Sequence, residues 1–465
     1  MSAPDRKLDR LQRRLADYSA ALSHESLPAS AVHAAKVRVI DTLAALAGGY
    51  DGEPCAIARR MAARTPMADG ATVYGTATRT TPEMAAFANG TAARYVELND
   101  VYHWPGSAGG HPSDVIMPLL GVAEHADAGG RDVLAAVVLA YEIYLRLSDA
   151  IGRTAFDCAN FACLGIAAGS AKLLGLTSAQ IGASLSMAAV PNNILRQVRT
   201  GHLSMWKAVT AGHAGKAGVF AALLARDGMN APFLPFEGKS GWLPHIAGKP
   251  VSLEVMGGPG TPYKIEDTLI KPRSSCATTI SSILAAEKVA PAVMKRLDEV
   301  ERVTVETYER AKIGMGTGEH HWEPDSRETA DHSIPYVVAA ALMDGTVTPR
   351  QFDASHLGSP ELRGLLRKIE VVVNDEFTRD YEKVPVVHRS RVNVRLRGGQ
   401  SASGEAGGDL GDLSQPKSDA QISEKFLGTA GGFLGAARAK AALDRLWALD
   451  KLERIAEIPE IFVKG

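Results

Sequence analysis

Across residues 1–270, apolar side chains recur at spacings of three and four. The runs VHAAKVRVIDTLAALAGG (32–49), EMAAFANGTAARYVEL (83–98) and RDVLAAVVLAYEIYLRLSDAIG (131–152) all show this period. It places the apolar positions on one stripe of a helix, so this part of the chain is predicted to be helix after helix. Glycines mark several of the ends, among them Gly48-Gly49 and Gly129-Gly130. In 208–218, Ala208, Ala211, Gly212, Ala214, Gly215, Ala217 and Gly218 leave little side-chain bulk. A glycine inside a helix costs about 1 kcal/mol relative to alanine. Such a stretch predicts an inner helix, pressed against neighbouring backbones.

Near residue 270 the texture changes. EVERVTVETY (299–308), RKIEVVVND (367–375) and RSRVNVRLRGG (389–399) are β-branched and partly alternating, and read as strands. Helical stretches lie between them at 278–289 and 331–345. Together these form a smaller α/β unit of about 130 residues, within the usual domain range. The Gly/Ser-rich run GGQSASGEAGGDLGDLSQPKSD (398–419) is expected to be a long loop. Helical period then returns at AQISEKFLGTAGGFL. The expected division is helical over 1–270, α/β over 271–404 and helical over 405–465. No internal repeat or coiled-coil heptad is present.

Composition narrows the function. A chain of 465 residues can bury a large core. It is 46% hydrophobic and 22% charged, with a net charge of −1. That balance offers no basic footprint for nucleic acid or a membrane surface. An anionic ligand must therefore be held by local cations. The start MSAPDRKLDRLQRRLADYS carries both charge signs and no apolar centre, unlike a secretory signal. Apolar runs such as 133–141 fall far short of the ~20 residues of a membrane helix. The four cysteines (Cys55, Cys158, Cys163, Cys276) are too scattered for a disulfide framework or an iron–sulfur cluster. A cytoplasmic location is expected.

The segment from Glu97-Leu-Asn-Asp100 to His111-Pro-Ser-Asp114 concentrates the candidate chemistry. Glu97 and Asp100 are three apart, so on a helix they would share a face. Pro112 suits the first turn of a new helix. That helix start would aim free N–H groups and a positive dipole end at whatever lies in front. Acids, imidazoles and an anion-attracting helix end suggest proton transfer on a carboxylated substrate. A polar loop capping a helix explains the same residues. Lys207, opening the small-residue helix, reads as a carboxylate grip or proton-transfer group, or else as a snorkelling lysine. Lys271 precedes Pro272, which favours an extended backbone and a side chain projecting from a connector; an exposed loop lysine is the alternative. Arg196 and Arg199 could both face one ligand through bidentate contacts, or serve structural ion pairs. His103 reads as a loop histidine. Glu319-His320-His321-Trp322-Glu323 lacks zincin spacing. Asp331-His332-Ser333-Ile334-Pro335-Tyr336 could contribute to a cleft, but a helix cap explains Asp331 or Ser333 as well.

ELND…GGHPSD resembles the MmgE/PrpD family. The resemblance continues through AKVRVIDTLAALAGG (35–49), AAGSAKLLGLT (167–177), LRQVRTGHLSMWKAVTAGHAGKAGVFAALLARDGM (195–229), LIKPRSSC (269–276) and HWEPDSRETADHSIPYVVAAALMDG (321–345), in family order. It implies a mainly α protein: one large all-helical domain formed by both chain ends, plus an inserted smaller α/β lid. It also implies a homodimer and a cofactor-independent, metal-independent lyase that dehydrates a 2-methylcitrate-like hydroxy-tricarboxylate. Decarboxylation of cis-aconitate, epimerisation of a dicarboxylate such as iminodisuccinate, and a non-catalytic scaffold are the alternatives. The implied catalytic residues are Asp100, His111, Lys207 and Lys271. The implied substrate-binding residues are Glu97, Ser113, Arg196, Arg199, Cys276 and Thr278. Two departures stand out. Family members often carry a histidine shortly before the KLLGL helix and another within ten residues after the lid lysine. Here the stretches are 153–160 and 271–280, without histidine, and Asp157, Cys158, Cys276 and Thr278 are the candidate replacements.

Overall fold

A computed structural model describes residues 9–464 apart from 409, 410, 412 and 414. The protein is mainly helical, with two hydrophobic cores. The larger draws its buried residues from 11–270 and from 422–462. The smaller draws on 277–413, together with Val101 from the first part of the chain.

At the centre of the larger core lies the helix Gly130–Ile151, in which Val133 to Leu145 are all buried. Ala29–Gly49, Ile116–His125 and Ala159–Leu173 pack on it, and Pro82–Tyr95 and Trp206–Arg226 pack against these in turn. The C-terminal helices Asp419–Leu434 and Ala436–Trp447 close over Ala29–Gly49. One small antiparallel hairpin, β1 (Pro66–Thr72) with β2 (Arg79–Thr80), interrupts the helices.

The small residues of Trp206–Arg226 do what their density predicts. A Cβ on Gly212 would lie 2.4 Å from both the Phe87 carbonyl oxygen and Thr91 Oγ1. One on Gly215 would meet Pro118, and one on Gly218 would meet the Cys163 carbonyl oxygen at 2.8 Å. Three neighbouring helices therefore press on one backbone. This helix is long and apolar enough to cross a membrane, yet most of it is buried in the core.

The smaller core is built on a four-stranded sheet in the order β4 (Ile369–Val373), β3 (Val300–Thr307), β5 (Ser390–Leu396), β6 (Ser401–Ala406). The β3–β4 pair is parallel; β3–β5 and β5–β6 are antiparallel. Val303 and Val305 pair with Val394 and Val392. All four are buried, in one core with the helices Ile280–Val293 and Ile334–Asp344.

Two expectations need correction. The Gly/Ser-rich run expected to be loop contains β6. Its glycine has a packing reason: a Cβ on Gly404 would lie 2.6 Å from the Ala285 carbonyl oxygen, where the helix Ile280–Val293 crosses the strand. Glu97 and Asp100 do not share a helical face. The helix Pro82–Tyr95 ends before them, and Glu97 adopts a left-handed backbone with φ +53°, uncommon for a residue with a Cβ. The chain turns back there.

Gly212→Ala should separate the helices Pro82–Tyr95 and Trp206–Arg226. The expected cost is about 1–3 kcal/mol of overpacking, read as a lowered midpoint in denaturant unfolding. An unchanged midpoint would show that the crossing has slack.

Candidate active site

The left-handed turn at Glu97 places its carboxylate, fully buried, between cations from three parts of the chain. Arg94 Nη1 lies 2.6 Å from Glu97 Oε1, Lys207 Nζ 3.2 Å from the same oxygen, and Lys271 Nζ 3.0 Å from Oε2. Burial alone would raise the carboxyl's pKa. The three cations outweigh it, and Glu97 is held well below the usual carboxylate range.

Each cation arrives for a local reason. Arg94 sits in the last turn of Pro82–Tyr95 and Lys207 in the first turn of Trp206–Arg226. Those two helices meet at the Gly90–Gly212 crossing, where a Cβ on Gly90 would lie 3.2 Å from the Gly212 Cα. Lys271 follows a backbone bridge in which the Val101 and Leu269 amides donate to each other's carbonyls at 2.9 and 2.8 Å. From the C-terminal helix, Lys425 donates to the carbonyls of Leu98 and Lys271 at 2.9 and 2.8 Å and also binds Asp41. This lysine ties both segments down.

Asp100 and Ser113 stand behind the site. Asp100 Oδ1 accepts from the Ser113 amide at 3.1 Å and Oδ2 from the Tyr141 hydroxyl at 3.0 Å. The turn starting at Pro112 does lead into a helix, first as a 3-10 turn and then as Ile116–His125. One amide expected to face a ligand is thus taken by Asp100. Ser113 Oγ accepts from Asn99 at 2.9 Å. His111 is placed by the same turn: its Nδ1 donates to the Asp100 carbonyl at 2.9 Å, leaving Nε2 4.0 Å from Glu97 Oε2. Burial, with Arg94 nearby, depresses its pKa well below the ordinary histidine value. His111 is a neutral base at neutral pH.

The smaller lobe supplies the opposite wall. Asp331 accepts from Lys207 at 2.7 and 2.9 Å, and its Oδ1 lies 2.5 Å from His332 Nδ1. His332 Nε2 is 3.9 Å from Glu97 Oε1. Burial and Lys207 push the His332 pKa down, but Cys276 and Asp331 pull it above its ordinary value. Ser333 is the helix cap, accepting from the Tyr336 amide, so Asp331 is free for Lys207. Glu97, Asp331 and His332 have ligand atoms within 4.8 Å of one another, a spacing that could suit a metal ion. The ammonium of Lys207 already fills the space between them. His320 packs against both His321 and His202, with its ring tilted to each.

Between the two walls lies a cavity of about 310 Å³. His111, Arg196, Arg199, Cys276 and Thr278 line it, as do the candidate replacements Asp157 and Cys158. Arg199 is paired to Asp157 at 2.7 Å. Arg153, Arg196 and Arg310 line the cavity too and form no ion pair among the described residues. His103 is not a free loop residue: its Nδ1 lies 2.8 Å from His388 Nε2, across the lobe boundary.

Sequence reasoning passed over Arg94 and Arg310, and left Asp331 ambiguous between cleft and cap. Arg94 carried a signal: it is the sole cation of the run TAARYVEL and lies three residues before Glu97. Arg310 carried none, since its place depends on the tertiary docking of the lobes.

The fold and site define a two-lobed helical enzyme with a cationic cleft built around a buried carboxylate. The chain belongs to the MmgE/PrpD family: the family's N-terminal domain matches residues 13–254 and its C-terminal domain residues 274–449. It is similar to 2-methylcitrate dehydratase of Salmonella typhimurium, 27% identical over 337 residues and 68% of each chain. It is also similar to the mitochondrial 2-methylcitrate dehydratase of Yarrowia lipolytica, 26% identical over 80% of this chain and 74% of the relative. Human cis-aconitate decarboxylase is 25% identical over 87% of this chain and 84% of its own. The chain is a lyase of this family.

Removing the Glu97 charge leaves three buried cations without their shared partner. Glu97→Gln should cost about 3–5 kcal/mol of stability at neutral pH, as broken buried pairs do. The folded carboxyl titrates below its unfolded value of 4.5. Its contribution is therefore complete above that pH and is lost as pH falls through the lower folded value. Unfolding curves of wild type and variant should converge at acid pH; a constant gap would overturn this account.

Proposed function

We propose that the cleft dehydrates a hydroxy-tricarboxylate of the 2-methylcitrate type. The observation that carries the reading is the meeting of His111, Lys207 and Lys271 on Glu97 beside a small, arginine-lined cavity. About 310 Å³ is at the low end of small-molecule sites, which run from roughly 300 to 1,000 Å³. It suits a compact acid. Arg153, Arg196 and Arg310 have no carboxylate partner among the described residues and are placed to take substrate carboxylates, which Arg grips in a fork.

His111 Nε2 is the base. Its Nδ1–H is committed to the Asp100 carbonyl, and the neutral ring can accept the proton next to a substrate carboxylate. Negative charge then builds on that carboxylate, where Lys207, Lys271 and the arginines stabilise it. His332, held above its ordinary pKa, supplies acid on the other wall, where the hydroxide departs. Asp100 positions His111 and the turn at Pro112. Decarboxylation of a cis-aconitate-like acid is the second reading, favoured by the coverage of the human relative.

Incubation with 2-methylcitrate, citrate and cis-aconitate in deuterated water, followed by proton NMR, distinguishes these readings. Dehydration gives an unsaturated tricarboxylate, and decarboxylation a product one carboxylate shorter. Lys207→Ala and His111→Ala should each lower turnover at least ~100-fold, the scale of a lost acid/base or charge-stabilising group, with the circular dichroism spectrum unchanged. Full activity in either variant would sink the mechanism.

The reading needs no metal, because Lys207 occupies the acidic pocket. Dialysis against a strong chelator should leave turnover intact. Loss of activity, restored by added zinc or iron, would show that Glu97, Asp331 and His332 hold a metal ion instead.

A further inference from the structure

Two cysteines line the cavity, and their surroundings set them apart. Cys158 lies beside Asp157, with Sγ 3.7 Å from Oδ1. Burial and that carboxylate push its thiol up to about 11. It is inert as an acid or base at neutral pH. Cys276 faces the other way chemically. Its Sγ is 2.9 Å from Thr278 Oγ1, and the thiol shares a hydrogen bond with His332. The Cys276 amide and the Ser275 hydroxyl both donate to the Asp331 carbonyl, at 2.9 and 2.8 Å. These bonds tie 275–276 to 331–332. Asp331 Oδ1 in turn holds His332 Nδ1. Imidazole and thiol thus both line the cavity, with the Asp331 carboxylate behind the imidazole.

Charge favours an ionised sulfur there. Besides His332 and Thr278, the groups that face the thiol are Glu97, Lys271 and Tyr381. Burial and Glu97 push the thiol up. The His332 charge and hydrogen bond, with Thr278, outweigh them and bring it down to about 7. In the wider cluster, Arg94, Lys207, Lys271 and a protonated His332 meet Glu97, Asp331 and Asp114. Burial raises Asp114 to about 7, so cations predominate.

We propose that Cys276 is a catalytic residue of this cleft, sharing with His332 the proton delivered to the departing hydroxyl oxygen. The inference rests on the dehydration reading. His111 Nε2 takes the proton next to the carboxylate, and the C–H electron pair becomes the new C=C bond as the C–O bond breaks. The oxygen takes the shared proton and leaves as water. The pair is left as thiolate and neutral imidazole, and His111 as imidazolium. Proton return from His111 to the pair through solvent, after product release, resets the site.

The test is the alkylation of Cys276 by iodoacetamide in the full chain, followed by peptide mass spectrometry across pH. Wild type should show an inflection near 7, and citrate should slow the reaction. His332→Asn should cut the rate at pH 7 roughly tenfold, because it returns the thiol toward its ordinary value near 8.5. Cys276→Ala should lower kcat ~100-fold with KM little changed. Cys276→His should restore part of the turnover with a displaced pH profile, which a packing role would not give. Cys276→Ser serves if the alanine variant fails to fold. An ordinary thiol inflection unmoved by His332→Asn would overturn the proposal, as would a wild-type pH profile in Cys276→Ala. If wild type turns over no hydroxy acid while the low inflection and citrate protection persist, dehydration fails and the thiol–imidazole pair stands.

Discussion

The arrangement depends on one carboxylate buried among cations. Moving ions from water into a protein interior costs several kcal/mol each, even after relaxation. Arg94, Lys207 and Lys271 share Glu97 as a partner within 3.2 Å of each, and Lys207 has Asp331 as a second. That sharing explains the left-handed backbone at Glu97. A carboxylate continuing the helix Pro82–Tyr95 would point along its face, whereas the turn carries it back toward Arg94 and across to the lysines. Local strain of this kind persists where its surroundings over-determine it.

The surroundings come from distant parts of the chain. The C-terminal helix contributes Lys425, which grips the Leu98 and Lys271 carbonyls. The loop after Glu97 bridges to Leu269 and sends Val101 into the smaller core. Lys207 belongs to the larger core and Asp331 to the segment packed on the smaller one, and their ion pair crosses the boundary. Docking of the two lobes and assembly of the site are therefore one event. A loss of lobe contact would leave Lys207 and Asp331 each short of a partner.

Much of this was legible in the sequence because it follows from period and bulk. The alternation in 299–308, 367–375 and 389–399 marks three of the four strands of the larger sheet, and the small-residue run at 208–218 marks the inner helix. The strand β6 was hidden because its residues are small where the helix Ile280–Val293 crosses it, so packing wrote the same glycine and serine that a loop would. At the site, Lys207, Lys271 and His111 stood out as cations and an imidazole in unusual settings. Asp100 also stood out, but its two oxygens serve the scaffold. A carboxylate's partners are tertiary facts: nothing local distinguishes one that meets a ligand from one that binds Ser113 and Tyr141. Asp331 posed the reverse problem, since Ser333, two residues on, does the capping.

The paired histidines show how environment divides labour within one cavity. His111 and His332 are both partly buried and both lie about 4 Å from Glu97, so distance to that carboxylate cannot separate them. Their second nitrogens do. His111 donates its Nδ1–H to a neutral carbonyl and stands near Arg94, so the pull of Glu97 on its charged form is too weak to offset burial. His332 turns Nδ1 to the Asp331 carboxylate and shares a bond with the Cys276 sulfur, so its charged form is favoured. Titratable groups driven apart in pKa mark the acid and the base of a site. Here the division follows from which segment carries each ring: the turn closed by Asp100 favours the neutral form, and the segment tied to residues 275–276 favours the charged form.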